Sequence, residues 1–268
     1  MECLKGKTLA IVDVETSGTS ATDSRVIEIG ILRIEDGVCT ETFRTCVNPG
    51  RPVSDWILAL TGIRQEELDP APEFEDIAEE VARLLDGAIF VAHNARFDYA
   101  FIKNEFARVG HRFNAKCLCT VRLSRMLFPR SRKHDLSSII ERYGFDAGAR
   151  HRAFDDANVL WQFLQYAQAK RPKQIAGAIE EILKGHTLPA FLDTRTIKGL
   201  PEAPGVYLFF GEDNEPLYVG KSRNIKTRVL SHFSGGPASS KEALMGRHIV
   251  RVEARETAGE LSALLLES

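Results

Sequence analysis

The stretch Leu9-Ala10-Ile11-Val12-Asp13-Val14-Glu15 ends an apolar run on two carboxylates spaced one residue apart. Such a run reads as a strand, and in a strand alternate side chains share a face, so Asp13 and Glu15 point together. Two anions crowded on one face repel each other and cost stability unless a positive charge lies between them. A divalent metal ion is the natural candidate. A fold built on this strand then has to bring further ligands to its end.

Length and composition set the frame. With 268 residues the chain has room for one large or two modest domains, which typically run about 100 to 200 residues. A hydrophobic content of 44% supports a real core, and a net charge of −2 leaves any signal for a polyanionic partner to local patches. Two stretches carry one. Arg108, Arg112, Lys116, Arg122, Arg125, Arg130, Arg132 and Lys133 fall between Glu105 and Asp135 without an acid. Lys221, Arg223, Lys226 and Arg228 fall likewise between Glu215 and Glu242. Phosphate contact is expected of both.

Cys3, Cys39, Cys46, Cys117 and Cys119 are an odd number without paired spacing, so reduced thiols are expected rather than disulfides or zinc. No signal core opens the chain and no run approaches the ~18 apolar residues of a membrane span. A soluble, cytoplasmic protein without a membrane partner is expected.

Strands are expected over 9–14, 26–34 and 42–47, and a short one over 88–92. Helices are expected over 74–85, where Phe74, Ile77, Ala78, Val81, Leu84 and Leu85 recur at helical spacing, and over about 97–109, 136–143 and 153–169. Trp56 reads as a core residue, with a base-stacking platform as the alternative. A linker with a short helix over 175–183 is expected at 170–198, between a first domain at 1–169 and a second at 199–268. In the second, 206–210 and 217–219 form a hairpin, and Thr257-x-x-Glu260 is a capping box for a final helix.

Acid-x-acid at Asp13 and Glu15 is followed by His93-Asn94-Ala95-Arg96-Phe97-Asp98 and by His151-Arg152-Ala153-Phe154-Asp155-Asp156. With Thr16-Ser17-Gly18, Arg25-Val26-Ile27-Glu28-Ile29-Gly30 and Leu60-Thr61-Gly62-Ile63, the series resembles the DEDDh 3'-5' exonucleases over roughly residues 5 to 168. That resemblance implies an α/β fold, a ribonuclease-H-like mixed sheet flanked by helices. It also implies two Mg2+ or Mn2+ ions, which at ~3.5 to 4 Å apart activate water and shield the phosphorus oxygens during phosphodiester hydrolysis. Hard cations of this kind prefer carboxylate oxygens. Asp13 is implied as the bridging ligand, with Glu15, Asp98 and Asp156 completing the set. His151, on the loop before its helix, is implied as the general base, and histidine's ordinary pKa of about 6.5 suits that task. The family's spacing selects Asp156 over Asp155. His93 and Asn94 are expected to fix the loop before Asp98, and Thr16, Ser17, Gly18 and Thr61 to line the pocket for the terminal nucleotide.

Pro204-Gly205-Val206-Tyr207 and Leu217-Tyr218-Val219-Gly220-Lys221 resemble the paired motifs of the GIY-YIG endonucleases, nearest to the nuclease domain of the excision-repair proteins UvrC and Cho. By position the resemblance gives catalytic roles to Tyr207, Tyr218, Lys221 and Arg228, and a single divalent metal to Glu267. His232 stands where those relatives carry tyrosine. A helix stopping at Ser268 is expected to fray and hold Glu267 poorly, so weak or absent incision is expected. The whole then reads as a 3'-5' exonuclease acting on DNA 3' ends in repair or proofreading, in company with a DNA polymerase or repair proteins, with a small α/β GIY-YIG domain attached. RNA or oligonucleotides as substrate, or a second domain that only binds DNA, are the alternatives.

Overall fold

The computed structural model describes residues 4–148, 151–184, 192, 194–211, 214–233 and 249–257. The chain divides into two compact units, Met1–Lys184 and Gly185–Ser268, each with its own apolar core.

In the first unit β1 (Thr8–Thr16), β2 (Val26–Glu35) and β3 (Val38–Cys46) form an antiparallel meander. β4 (Ile89–Ala92) lies parallel to β1 and β5 (Cys117–Cys119) parallel to β4, giving the order β3-β2-β1-β4-β5. Leu9, Ala10, Ile11 and Val12 are all buried, so the centre of the sheet is covered on both faces and the run reads as continuous rather than alternating. The cover comes from α1 (Asp55–Thr61), α2 (Gln65–Leu68), α3 (Phe74–Leu85), α4 (Arg96–Arg108), α5 (Thr120–Leu127), α6 (Leu136–Tyr143), α7 (Ala153–Lys170) and α8 (Pro172–Lys184). This is the expected mixed sheet flanked by helices. α3 starts with a capping box between Glu73 and Asp76 and buries Phe74, Ala78, Val81, Leu84 and Leu85, the stripe its periodicity predicts.

Two expectations are corrected here. The segment assigned to a linker divides between the cores. α8 buries Ile175, Ala178, Ile179 and Ile182 on the first, while Leu192, Ile197 and Leu200 belong to the second. Burying each isoleucine gains on the order of 1.5–3 kcal/mol, which ties α8 to the first unit. Trp56, expected in the core, is 67% exposed, because α1 turns Ile57 inward and its neighbour outward.

The second unit has an antiparallel sheet of β6 (Gly205–Phe210), β7 (Pro216–Ser222) and β8 (Arg251–Glu256) in the order β7-β6-β8, with α9 (Thr194–Lys198) and α10 (Ile225–Ser231). Asn224 caps α10 by accepting from Thr227 N at 2.9 Å. The expected hairpin is present. The helix expected from the Thr257 capping box lies outside the described residues. Among the described residues no helix is long and apolar enough to cross a membrane.

Candidate active site

β1 runs past the end of its parallel neighbour. β4 pairs with β1 only as far as Ile11 and stops at Ala92, which leaves the Val14 N–H without a strand partner on that side. Asp98, in the first turn of α4 and almost fully buried, fills the gap: its Oδ1 accepts from Val14 N at 3.3 Å. The acid of the second motif is thereby fixed against the backbone between Asp13 and Glu15. Asn94, in the left-handed region at φ 66°, turns the chain from β4 into α4, and His93 Nδ1 shares a hydrogen with Thr120 Oγ1 at 2.9 Å. Both residues shape the loop ahead of Asp98, as expected.

The third motif reaches the same place by a close backbone approach. Gly30 stands opposite Asp13 in the β1–β2 pair, and a Cβ on Gly30 would lie 2.4 Å from Phe154 N. The first turn of α7 therefore rests directly on β2. Glu28, 5% exposed in the middle of an apolar strand, completes the attachment. Its carboxylate accepts from Ala153 N at 2.8 Å and pairs with Arg152 at 2.7 and 2.9 Å, so one buried anion both caps α7 and holds the residue after His151. The hydrogen bond to Glu28 raises the pKa of the Arg152 guanidinium above its ordinary value. His151 itself sits at φ 60°, a strained conformation for a residue with a Cβ, and is exposed. Asp156 turns inward and is 5% exposed, whereas Asp155 is half-buried against Gly148.

The result is a convergence. One ligand atom each of Glu15, His151 and Asp156 lies within 4.8 Å of the others. Metal–oxygen bonds of about 2.0–2.6 Å put ligands across one divalent ion about 4–5 Å apart, so this group can hold one. Asp13 shares the strand face of Glu15, and Asp98 is bonded to the backbone between them. Two carboxylates and an imidazole, with two more acids beside them, match the donor chemistry of a hard divalent cation.

The residues expected to line the nucleotide pocket fold the loop next to β1. The Thr16 hydroxyl donates to Gly18 O at 2.7 Å, and Ser17 Oγ accepts from Arg25 N at 2.9 Å. A Cβ on Gly18 would lie 2.5 Å from Ser24 Oγ. Thr61 is buried, and its hydroxyl donates to Ile57 O at 3.0 Å, closing α1 before Gly62.

The first basic stretch divides, and part of it is structural. Arg108 donates to the carbonyls of Ala21, Thr22 and Ser24 and pairs at 3.2 Å with Glu105. Glu105, fully buried, also accepts from Val26 N and Arg25 Nε at 2.9 Å. Arg122 is 8% exposed, and burial lowers its pKa. Glu28, Gly30, Glu105 and Arg152 are the positioning residues that residue-type reasoning passes over. The available signal was a glutamate and a glycine inside an otherwise apolar strand.

In the second unit Tyr207, fully buried on β6, places its hydroxyl 2.6 Å from His232 Nε2. The rings of Tyr207 and Tyr218 lie 6.0 Å apart, and Tyr218 lies 5.2 Å from His232. Gly220 faces Tyr207 across the β6–β7 pair, and a Cβ there would sit 2.5 Å from the Tyr207 ring. Burial pushes the Tyr207 hydroxyl well above the usual phenol range, and Arg228 acts in the opposite direction. The structure thus gathers Tyr207, Tyr218, His232 and Arg228. Lys221 lies on β7 opposite Val206, and Glu267 lies outside the described residues.

Residues 10–164 match the Exonuclease family and residues 203–268 the UvrC-like GIY-YIG domain. Among curated proteins, the chain is 39% identical over 249 residues to a 3'-5' exonuclease DinG of Bacillus subtilis, covering 88% of this chain and 27% of that protein. It is 34% identical over 235 residues to a DNA polymerase III PolC-type protein of Thermotoga petrophila, covering 85% of this chain and 17% of that one. The chain therefore spans about a quarter or less of these two relatives. Among solved structures, E. coli exonuclease I in complex with a dT13 oligonucleotide shares the fold at a TM-score of 0.59 and 13% identity, over 80% of this chain and 51% of that one. Exonuclease X in complex with 5' overhanging duplex DNA does so at 0.53 and 23%, over 65% and 99%. The family match covers more than half of the length, so this chain belongs to the Exonuclease family, and it carries a UvrC-like GIY-YIG domain at residues 203–268.

Proposed function

We propose that the first unit is a metal-dependent 3'-5' exonuclease that removes nucleotides from DNA 3' ends in repair or proofreading. The convergence of Glu15, His151 and Asp156 beside Asp13 and Asp98 carries this reading. Two divalent ions bound there would shield the phosphorus oxygens and make water a better nucleophile. Asp13, Glu15, Asp98 and Asp156 would hold them. His151, on the exposed lip ahead of α7, takes the proton of the attacking water, and Glu28 with Arg152 fixes where that imidazole stands.

The direction agrees with the name of the Bacillus relative, and DNA with the oligonucleotides in the two solved relatives. A surface feature agrees too. Trp56 and Leu60, four residues apart on α1, are 67% and 47% exposed, an apolar surface suited to stacking bases.

The second unit is read as the partner nuclease module. Tyr207, Tyr218 and His232 form a hydroxyl–imidazole group for moving a proton, Arg228 and Lys221 receive a phosphate, and Glu267 would hold a single divalent ion.

The test supplies 3'-labelled and 5'-labelled single-stranded DNA, matching RNA and nicked plasmid with Mg2+, Mn2+ or EDTA. Release of mononucleotides from the DNA 3' end, abolished by EDTA and by Asp13→Ala, is expected. Release that survives either treatment refutes the metal mechanism, and faster degradation of RNA moves the substrate to RNA.

A further inference from the structure

The metal-ligand candidates crowd one end of the sheet, and a second feature occupies the other. A cavity of about 680 Å³ opens where β1, β4 and β5 begin, entirely within the first unit. Thr8, on its wall, is five residues before Asp13 along β1, a span of roughly 17 Å at about 3.3 Å per residue. A ligand in this cavity would not touch the candidate active site.

The wall carries Lys7, Arg112 and Lys116 with His111, against one carboxylate, Asp86. Arg112 and Lys116 are exposed and make no ion pair among the described residues. They belong to the basic stretch singled out in the sequence, and unlike Arg108 and Arg122 they are not absorbed into the fold. Phe113 lines the same basin, half-buried, with its ring fixed 5.3 Å from both Phe106 and Tyr99. Three cations beside a fixed aromatic ring, in a basin within the ~300–1,000 Å³ of small-molecule sites, match a ligand that joins an anion to a planar ring.

We propose that this cavity binds a nucleoside monophosphate, its phosphate among Lys7, Arg112 and Lys116 and its base against Phe113. A phosphomonoester carries a charge of about −1.5 to −2, which suits Arg112 and Lys116, exposed and in no ion pair among the described residues, with Lys7 on the same wall. The proposal rests on the chemistry of the cavity and is independent of the exonuclease reading.

The experiment titrates the whole chain with dAMP, deoxyadenosine and inorganic phosphate by calorimetry, in EDTA so that divalent ions take no part. Saturable binding of dAMP is expected, with deoxyadenosine and phosphate each weaker by about tenfold or more. The double substitution Arg112→Glu with Lys116→Glu, at exposed positions, should weaken dAMP by at least about tenfold while melting like wild type. Arg112→Gln with Lys116→Gln serves if charge reversal unfolds the chain. Phe113→Leu should weaken dAMP and leave phosphate unchanged. Absence of saturable dAMP binding, or equal binding by the double variants, overturns the site. Weakened binding of a dT oligonucleotide with no effect on dAMP overturns it in favour of a strand-binding face.

Discussion

Gly30 faces Asp13 across one strand pair in the first unit, and Gly220 faces Tyr207 across another in the second. What each glycine admits is different. At Gly30 the space goes to the backbone of α7, whose acid and preceding histidine arrive from more than a hundred residues further along the chain. At Gly220 it goes to the ring of Tyr207 itself, within a hairpin and one following helix. The first site is long-range and needs buried anchors: Glu28 of β2, which holds the start of α7, and Glu105 of α4, which holds Arg25 and Val26 after the β1 loop. The second is local and held by ring packing among Tyr207, Tyr218, Phe209 and His232.

Filling each space separates the two sites. Gly30→Ala drives a Cβ into backbone that cannot step aside, so a loss of about 3 kcal/mol or more is expected, with exonuclease activity falling alongside. Gly220→Ala meets a ring and should cost about 1–3 kcal/mol in the second unit while exonuclease activity persists. Denaturant melts with parallel nuclease assays read both. Equal loss of exonuclease activity in the two variants would mean that the sites are not separately built.

Glu28→Gln tests the buried anchor. The variant keeps shape and loses the anion that faces Arg152. Arg152 is partly exposed, so about 1–2 kcal/mol of stability is expected to go, with kcat falling more than KM because the His151 loop loosens. A change in KM alone would place Glu28 in substrate contact instead.

Trp56→Ala sharpens the account from the surface. Stability should stay within about 0.5 kcal/mol, while KM for single-stranded DNA rises by an amount in the range of about 1–3 kcal/mol of lost stacking. An unchanged KM would remove α1 from the substrate path.

The smallest effect is a pH dependence. His134, buried with Nδ1 2.8 Å from Ser124 Oγ, has its pKa lowered by burial and by the charges of Arg125 and Arg142. The unfolded chain then takes up the proton more readily than the folded one, so stability should decline as pH falls below about 6.5, and His134→Asn should flatten that slope. Melts between pH 5.5 and 7.5 measure it.

Much of the first unit was legible because its strands and long helices have strong periods. β1, β2, α3 and α7 all follow from apolar spacing, and the three acidic motifs from their order. β5 was not, since Cys117–Cys119 is too short to show a period, and α5 hid within a basic stretch read for phosphate contact. β8, Arg251–Glu256, mixes charges that mask its alternation. Of the two readings of Trp56, core and stacking platform, the core reading fails because α1 has only one face to bury, taken by Ile57 and Thr61. The anchors Glu28 and Glu105 were invisible as anchors because their partners, Arg152 and Arg25, are 124 and 80 residues away in sequence.

Glu15, His151 and Asp156 are placed to close around a divalent cation, with Asp13 and Asp98 beside them. Mn2+ titration followed by electron paramagnetic resonance tests it without relying on catalysis. Wild type should bind Mn2+ in the first unit, and Asp156→Asn, which keeps the shape of the side chain, should lose that binding while melting normally. Equal Mn2+ binding by the two proteins would contradict the account.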